Sequence, residues 1–521
     1  MFRFYLKNIH RKSGNTNNGD SVKNPLKKNL EEITDIPENS ERELPIYREI
    51  LNNELYLKKS FGESMDILIK TAEADSAKLL FCMADTLCDN LLVTQQIVKP
   101  LLENTDLPSN PEKLMNYISQ SVIAGVDIKK AYSLQQAEQE ILSGMFLVFC
   151  EGVDYCLCFG VQRFTKRGVE QSQSEVNEKS SLEAFCECFK DNLALLRRRI
   201  RSPKLHFDTL EAGVTSKTRI CLCYLTDRVN YEILNQIKNQ INSARFDTVL
   251  SSGSITELIE GKRFALFSAV GSTERPDTAC AEMAEGRILI IIDGTPFALI
   301  APYLFSENFQ TVDDYNVPPF YALFTRILKY SAFFIAIFLP SVYIAVCSFH
   351  HEVLPVAMLY DMAVQESITP FPVLLETLFI HFVYEIVREA GVRMPKSVGN
   401  AVSIVGGLVI GDAAVSAGLI AAPMLIVVAM SAITSFVIPK LYQPVAFLRF
   451  VFMIIAGVSG FYGIAIGFCV MLINICSQNP FSVPFTSPFA PLFLSAFRDT
   501  LFRQNWTKLS RRSFNISSME K

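Results

Sequence analysis

The stretch SGMFLVFCEGVDYCLCF, residues 143–159, has a counterpart in EGRILIIIDGTPFALIA, residues 285–301. Gly144 and Gly286 lie 142 residues apart, and so do Gly152 and Gly294. Each stretch is an apolar run, an acid with a glycine, and a second apolar run. That order predicts a buried β-hairpin, with Glu151-Gly152 and Asp293-Gly294 at the turns. Upstream, AKLLFCMADTLCDNLLVTQQIVKPL from Ala77 matches RICLCYLTDRVNYEILNQIKNQI from Arg219. Both read as a strand, an Asp and an amphipathic helix. Asp85 and Asp227 are again 142 apart, and each is expected to cap the helix that follows. A constant offset without gaps points to two similar α/β subdomains, 46–165 and 205–315.

Between them, residues 166–204 read as a linking helical segment. Leu182, Phe185, Phe189 and Leu193 recur at helical spacing, and Pro203 stops the helix. Arg197, Arg198, Arg199 and Arg201 close it, where cations suit the negative end of the dipole. Residues 1–45 change from basic to acidic around turn formers and read as a solvated tail. The first residues hold no apolar h-region, so the N-terminal domain is expected to stay cytosolic. The 13 cysteines include Cys156/Cys158, Cys186/Cys188 and Cys221/Cys223, but no C-x-x-C. They read as packing residues, with no metal site and no cofactor.

The chain is 50% hydrophobic with mean hydropathy +0.24, but the apolar residues are uneven. Residues 322–476 hold long apolar runs and read as a membrane domain of about 4–6 helices, some broken or re-entrant. Candidate spans are 329–349, 398–438 and 446–476. The fold class is thus a pair of α/β subdomains followed by a multispan α-helical membrane domain. Whether 398–438 crosses once or twice, and so the side of the C-terminus, stays open. Within it Asn400, Ser403, Gly407, Gly411, Ala414 and Gly418 follow steps of three and four. On one continuous helix they form a stripe of small and polar groups, suited to close helix packing or to a wetted pore. Asp412 lies off the stripe. A second set, Glu376, His381, Glu385 and Arg388, lies in the helix that follows Pro370 and Pro372. His381, Glu385 and Arg388 share one side, where His381–Glu385 and Glu385–Arg388 can pair, and Ser367 and Thr369 are possible caps. Ionisable groups in such a setting pack on protein or border water. Residues 477–521 form a Pro/Phe-rich and basic tail, in which Phe481, Phe485 and Phe489 want a partner surface.

No P-loop, H-E-x-x-H or G-x-S-x-G motif occurs, so no catalytic residue is assigned and an enzyme is not expected. Nucleic acid is not among the expected partners.

ERPDT (274–278), GRILIIIDGTPFALIAP (286–302), DDY (313–315), the run from Pro370 to Pro439, and SPFAPL in the tail resemble the A-subunit family of spore germination receptors, the GerA family. FGESMDI near Phe61 and LRRRI near Leu196 fit as well. The resemblance covers about residues 45–505. Two patches depart from it: SEVNEKSSLEAF stands where a Gly-Pro-Arg-like element is usual, and FSAVGS where a Phe-Pro-Gln-like one is. The resemblance implies a multi-pass protein of the endospore inner membrane. It implies a homo-oligomer around an ion-conducting path, opened when a transporter-like B subunit binds nutrient, together with a lipoprotein C subunit. A secondary transporter component or a membrane scaffold is the alternative.

Overall fold

The computed structural model describes residues 43–74, 77–103, 107–121, 126–162, 172, 175, 179–261, 265–395, 411–492 and 497–505. The tail over 1–42 and, from the stripe, Asn400, Ser403 and Gly407 lie outside the described residues.

Two five-stranded sheets form the N-terminal half. The first holds β1 (Ile67–Ala74), β2 (Ala77–Ala84), β3 (Ile128–Ala131), β4 (Phe146–Cys150) and β5 (Cys156–Phe159), in the order β1-β2-β4-β5-β3. The second holds β6 (Leu205–Ala212), β7 (Thr218–Leu225), β8 (Gly271–Thr273), β9 (Ile288–Ile292) and β10 (Ala298–Ala301), in the order β6-β7-β9-β10-β8. The two orders are the same, and every pairing is antiparallel. Gly152 and Gly294 sit in the hairpin turns at φ 89° and 83°, a backbone that glycine alone adopts cheaply.

Each sheet is preceded by a helix: α1 (Ile50–Phe61) in the first unit, and α3 (Phe189–Arg199) in the second. Between them in sequence lies α2 (Leu134–Leu142). Buried Asn53 accepts from Tyr47 N at 2.9 Å and donates to Tyr47 O at 2.7 Å. Buried Asn192 does the same with Cys186, at 2.9 and 2.6 Å. Gly152 N donates to Arg48 O, and Gly294 N to Glu187 O. The helix over 189–199 thus makes in the second unit the contacts that α1 makes in the first. Its Arg197 does more than complement a dipole. Fully buried, it holds Asp66 of the first unit through Nε at 2.7 Å and the Leu205 carbonyl of the second at 2.9 Å. It is a strut between the units.

The expected helix caps differ from the observed ones. The helix start after β2 is capped by Asp89, and α4 (Tyr231–Ser243) is capped by Asn230. Asp85 instead pairs with Lys190 at 2.9 Å, and Asp227 with Lys204 at 3.1 Å. A turn intervenes between strand and helix, so the capping position falls three or four residues later. Cys156 and Cys158 on β5, and Cys221 and Cys223 on β7, are buried, whereas Cys188 is exposed.

After α5 (Pro276–Ala284) and the second hairpin, the chain enters the helices α6 (Pro319–Ser348), α7 (Val356–Glu366), α8 (Val373–Arg393), α9 (Ala422–Phe436) and α10 (Tyr442–Cys476). Two stretches, Pro319–Ser348 and Pro439–Cys476, are long and apolar enough to cross a membrane. The second is not one rod. Gly460 breaks it at φ 57°, ψ −143°, and the chain turns back. A Cβ on Gly467 would lie 2.8 Å from Phe452, a residue that a straight helix would hold about 22 Å away. The tip of this hairpin touches the far end of α6, where His350 faces Phe461 at 4.8 Å. Both feet return to the α/β region: Lys440 reaches Tyr303 OH at 3.4 Å, and Asn474 accepts from Leu266 N at 3.3 Å. The stretch read as a single span at 446–476 is therefore two antiparallel arms, of about 27 and 24 Å. This puts the tail beside the α/β region. There Phe481 and Val483 join the core of the second unit, and Phe485 joins the helical core. For Phe481 and Phe485 the partner surface is the chain's own, whereas Phe489 stays exposed beside Tyr330.

Candidate functional site

Four helices meet around Arg449, on the first arm of α10. Its side chain is fully buried. Nε donates to Ala336 O of α6 at 2.9 Å. Nη2 donates to Ser431 O of α9 at 3.3 Å and to the Ser435 hydroxyl. Nη1 lies 3.6 Å from a Glu385 carboxylate oxygen of α8. Glu385 also accepts from Tyr442 OH at 2.9 Å and from Arg388 Nε at 2.9 Å. Nη1 makes no hydrogen bond among the described residues, so its charge is met by the Glu385 carboxylate alone; a buried cation is tolerable only with such partners.

His381 lies one turn from Glu385 on α8 but does not pair with it. Its Nδ1 faces Thr377 O at 2.9 Å, and its Nε2 faces Ser431 Oγ at 3.2 Å. A carbonyl only accepts, so Nδ1 carries the proton of the neutral ring and Nε2 is left as an acceptor. The expected His381–Glu385 pair is replaced by a bond across helices, because α9 packs against this face. Glu376 is buried and accepts from Ala421 N at 2.6 Å. A carboxylate at the start of α9 meets donors that have no intrahelical partner. Pro372 occupies the cap position of α8, without help from Ser367 or Thr369. Asp412 is exposed on the single chain.

The stripe does not lie on one continuous helix. Gly418 has φ 65°, with Leu419 N donating to Ala414 O and Gly418 N to Val415 O. That pair of bonds is a Schellman cap, so Gly418 ends the helix rather than extending its face. Gly411 is buried, and a Cβ there would meet Leu425 of α9 at 3.4 Å. Ala414 packs beside Ile380 and Met424. A recess of about 370 Å3 opens beside the cluster, lined by Phe382, Glu385, Ile386, Arg388, Glu389 and Ala390.

Sequence reading missed Arg449, Ser431, Ser435 and Tyr442. The available signal was an arginine inside an apolar run.

Where the helices meet the α/β region, a second set of charges forms. Arg287, 3% exposed, pairs with Glu282 at 2.7 Å, Glu285 at 2.6 Å and Glu307. Burial pushes the Glu307 carboxyl up to about 8, against the pull of Arg287. Fully buried Arg326 of α6 holds Asp314 at 3.2 Å and Asp499 of the tail at 3.3 Å. Lys329 joins Asp314 at 3.0 Å, and Tyr315 OH donates to Asp499 at 2.7 Å. The second unit, α6 and the tail are thus bound by ion pairs. No group of three or more His, Cys, Asp or Glu that could hold a metal ion occurs among the described residues.

The sequence matches the family described as Bacillus/Clostridium GerA spore germination protein over residues 55–514. It is similar to spore germination protein KA of Bacillus subtilis, at 35% identity over 92% of this chain and 89% of that protein. It is similar to spore germination protein B1 of the same organism, at 30% identity over 90% of this chain and 97% of that one. Among solved structures it resembles the N-terminal domain of the A subunit of the Bacillus megaterium spore germinant receptor GerK3. The identity there is 26%, over 51% of this chain and 98% of that domain, with a TM-score of 0.41.

Proposed function

We propose, starting from the fact that this chain belongs to the GerA family of spore germination proteins, that it is the A subunit of a nutrient receptor which opens an ion path through the endospore inner membrane. Copies of the chain surround the path, a transporter-like B subunit binds the nutrient, and a lipoprotein C subunit completes the receptor. The observation that carries this reading is the polar cluster at Arg449, inside helices whose outer faces are apolar. Ile426, Ile433, Val458, Val470 and Ile473 are all exposed on the single chain, as lipid contact or a second copy would require. Buried ionisable groups between such helices mark ion or proton routes more often than structural cores. The stretch with Asn400, Ser403, Gly407, Gly411 and Ala414 supplies the small and polar face of the path. The ionisable row of Glu376, His381, Glu385 and Arg388, with Asp412, sets its polarity.

The test is flux. The receptor in liposomes with its B subunit should release ions on nutrient addition without taking nutrient up. Uptake without ion release would make the protein a transporter component, and neither would leave it a scaffold. Gly411→Leu should block the response while protein still accumulates, because the new side chain presses on Leu425 of α9.

A further inference from the structure

Proline has no N–H, so Pro340 inside α6 leaves the carbonyl four residues earlier without its intrahelical donor. That carbonyl is Ala336 O, the group to which Arg449 Nε donates at 2.9 Å. The gap in one helix is closed by a side chain of another. The same guanidinium holds Ser431 and Ser435 of α9. Ser341, next to the proline, is fully buried, and its hydroxyl has no hydrogen-bond partner among the described residues. This turn of α6 therefore depends on α10 for its closure and keeps a polar group unspent.

The ends of this region are tied to the α/β domain. Arg326, ten residues before Ala336, is clamped by Asp314 and Asp499. Lys440, nine residues before Arg449, reaches Tyr303 of the second unit and Glu175 of the linking segment. A displacement of the second unit thus pulls on α6 and on the foot of α10, on either side of the Arg449 contact.

We propose that Pro340 is a hinge in α6 and that Arg449 is the latch that holds it in the closed state of the ion path; this rests on the ion-path reading above. Opening withdraws Arg449 from Ala336 O and from Ser435, and α6 bends at the freed turn. Glu385 is not stranded by this movement, since Arg388 and Tyr442 still hold it. Arg449 is a positioning residue: it sets the helix arrangement and need not touch the ion.

The experiment uses the full receptor, in spores and in liposomes, with ion release measured against nutrient concentration. Arg449→Met should give ion release without nutrient. Pro340→Ala restores the missing N–H and stiffens the turn. Alone, it should raise the half-maximal nutrient concentration by about tenfold, a common size for a coupling between sites. In the double variant, Pro340→Ala should suppress the leak and restore nutrient dependence. A general loss of packing would instead be worsened by a second change. If Arg449→Met does not accumulate, Pro340→Ala decides alone, and a wild-type response from it overturns the latch. Independent, additive effects overturn it too. A wild-type receptor that conducts no ions on nutrient addition sinks both readings. One that conducts normally while Pro340→Ala changes nothing sinks only this one.

Discussion

The two α/β units have one strand order and one hairpin, but they differ where the helices attach. Gly144-Met145 in the first unit corresponds to Gly286-Arg287 in the second, by the 142-residue offset and by identical backbone bonds. Met145 N donates to Glu140 O and Arg287 N to Glu282 O. Met145 is packed in an apolar cluster. Arg287 is equally buried, yet lies among Glu282, Glu285 and Glu307. The lesson is that the fold tolerates either side chain at this corner. The charge belongs to the second unit's added task of holding the helical domain. Arg287→Met should therefore be costly although Met is native to the equivalent place. Three carboxylates would lose their cation, a loss of about 3–5 kcal/mol. Hydrogen exchange of the purified chain should show β9 and residues 305–309 loosened while β4 stays protected. Equal protection in both units would mean the corner is not a charged joint.

The next comparison concerns what the units share. Asn53 and Asn192 are each 1% exposed and each bond both polar groups of one backbone residue. Asn53→Ala and Asn192→Ala should each cost about 1–3 kcal/mol, since the N–H and C=O of one half-buried residue lose their partner. Thermal unfolding of the two variants should shift by similar amounts. A large inequality would show that the helix over 189–199 is not the true partner of α1.

Much of this was legible in the sequence, and the reasons are physical. Buried strands need unbroken apolar runs, and their turns need glycine at positive φ, so the hairpins at Gly152 and Gly294 left a countable offset. The capping positions were misplaced because a short turn between β7 and α4 costs no hydrophobic residue and leaves no period. The hairpin in α10 was hidden for the opposite reason. Both arms are apolar throughout, and one Gly460 among several glycines does not announce a reversal. The partners of His381 and Arg449 were not legible at all. Ser431 and Ser435 come from another helix, and a sequence shows only neighbours along its own.

A smaller effect tests the hairpin turns. Gly152 and Gly294 share a positive φ, but a Cβ on Gly152 would meet Pro111 at 3.4 Å, while nothing lies within 4 Å of Gly294. A 3.4 Å approach is ordinary contact, so backbone strain should dominate in both. Gly152→Ala and Gly294→Ala should each cost about 1–2 kcal/mol, equal within experimental error. A markedly larger loss at Gly152 would mean that its neighbours, and not its φ, hold the turn.

The smallest expected difference appears on acidification. Asp208 on β6 occupies the place that exposed Lys70 has on β1, as the paired registers Leu205–Leu225 and Ile67–Ala84 require. Burial by itself would push the Asp208 carboxyl up. The hydrogen bonds from His206 at 3.1 Å, Lys238 at 2.5 Å and Tyr224 OH at 2.8 Å outweigh it and hold the group well below the usual carboxylate range. A folded pKa below the unfolded value means that this contribution to stability is fully present above about pH 4, the ordinary range for Asp. It drains away as the pH falls from there toward the folded pKa, because only the unfolded chain then gains the proton. The first unit has no carboxylate at the matching place, so it has no matching loss there. Asp208 is partly open to solvent, which limits the effect. Hydrogen exchange between pH 5 and pH 3, corrected for the intrinsic rate, should therefore show β6 losing protection before β1. Asp208→Asn should lower protection of β6 at pH 6 and remove its acid sensitivity. If β1 and β6 open together at every pH, the asymmetry between the units does not extend beyond the corner at Arg287.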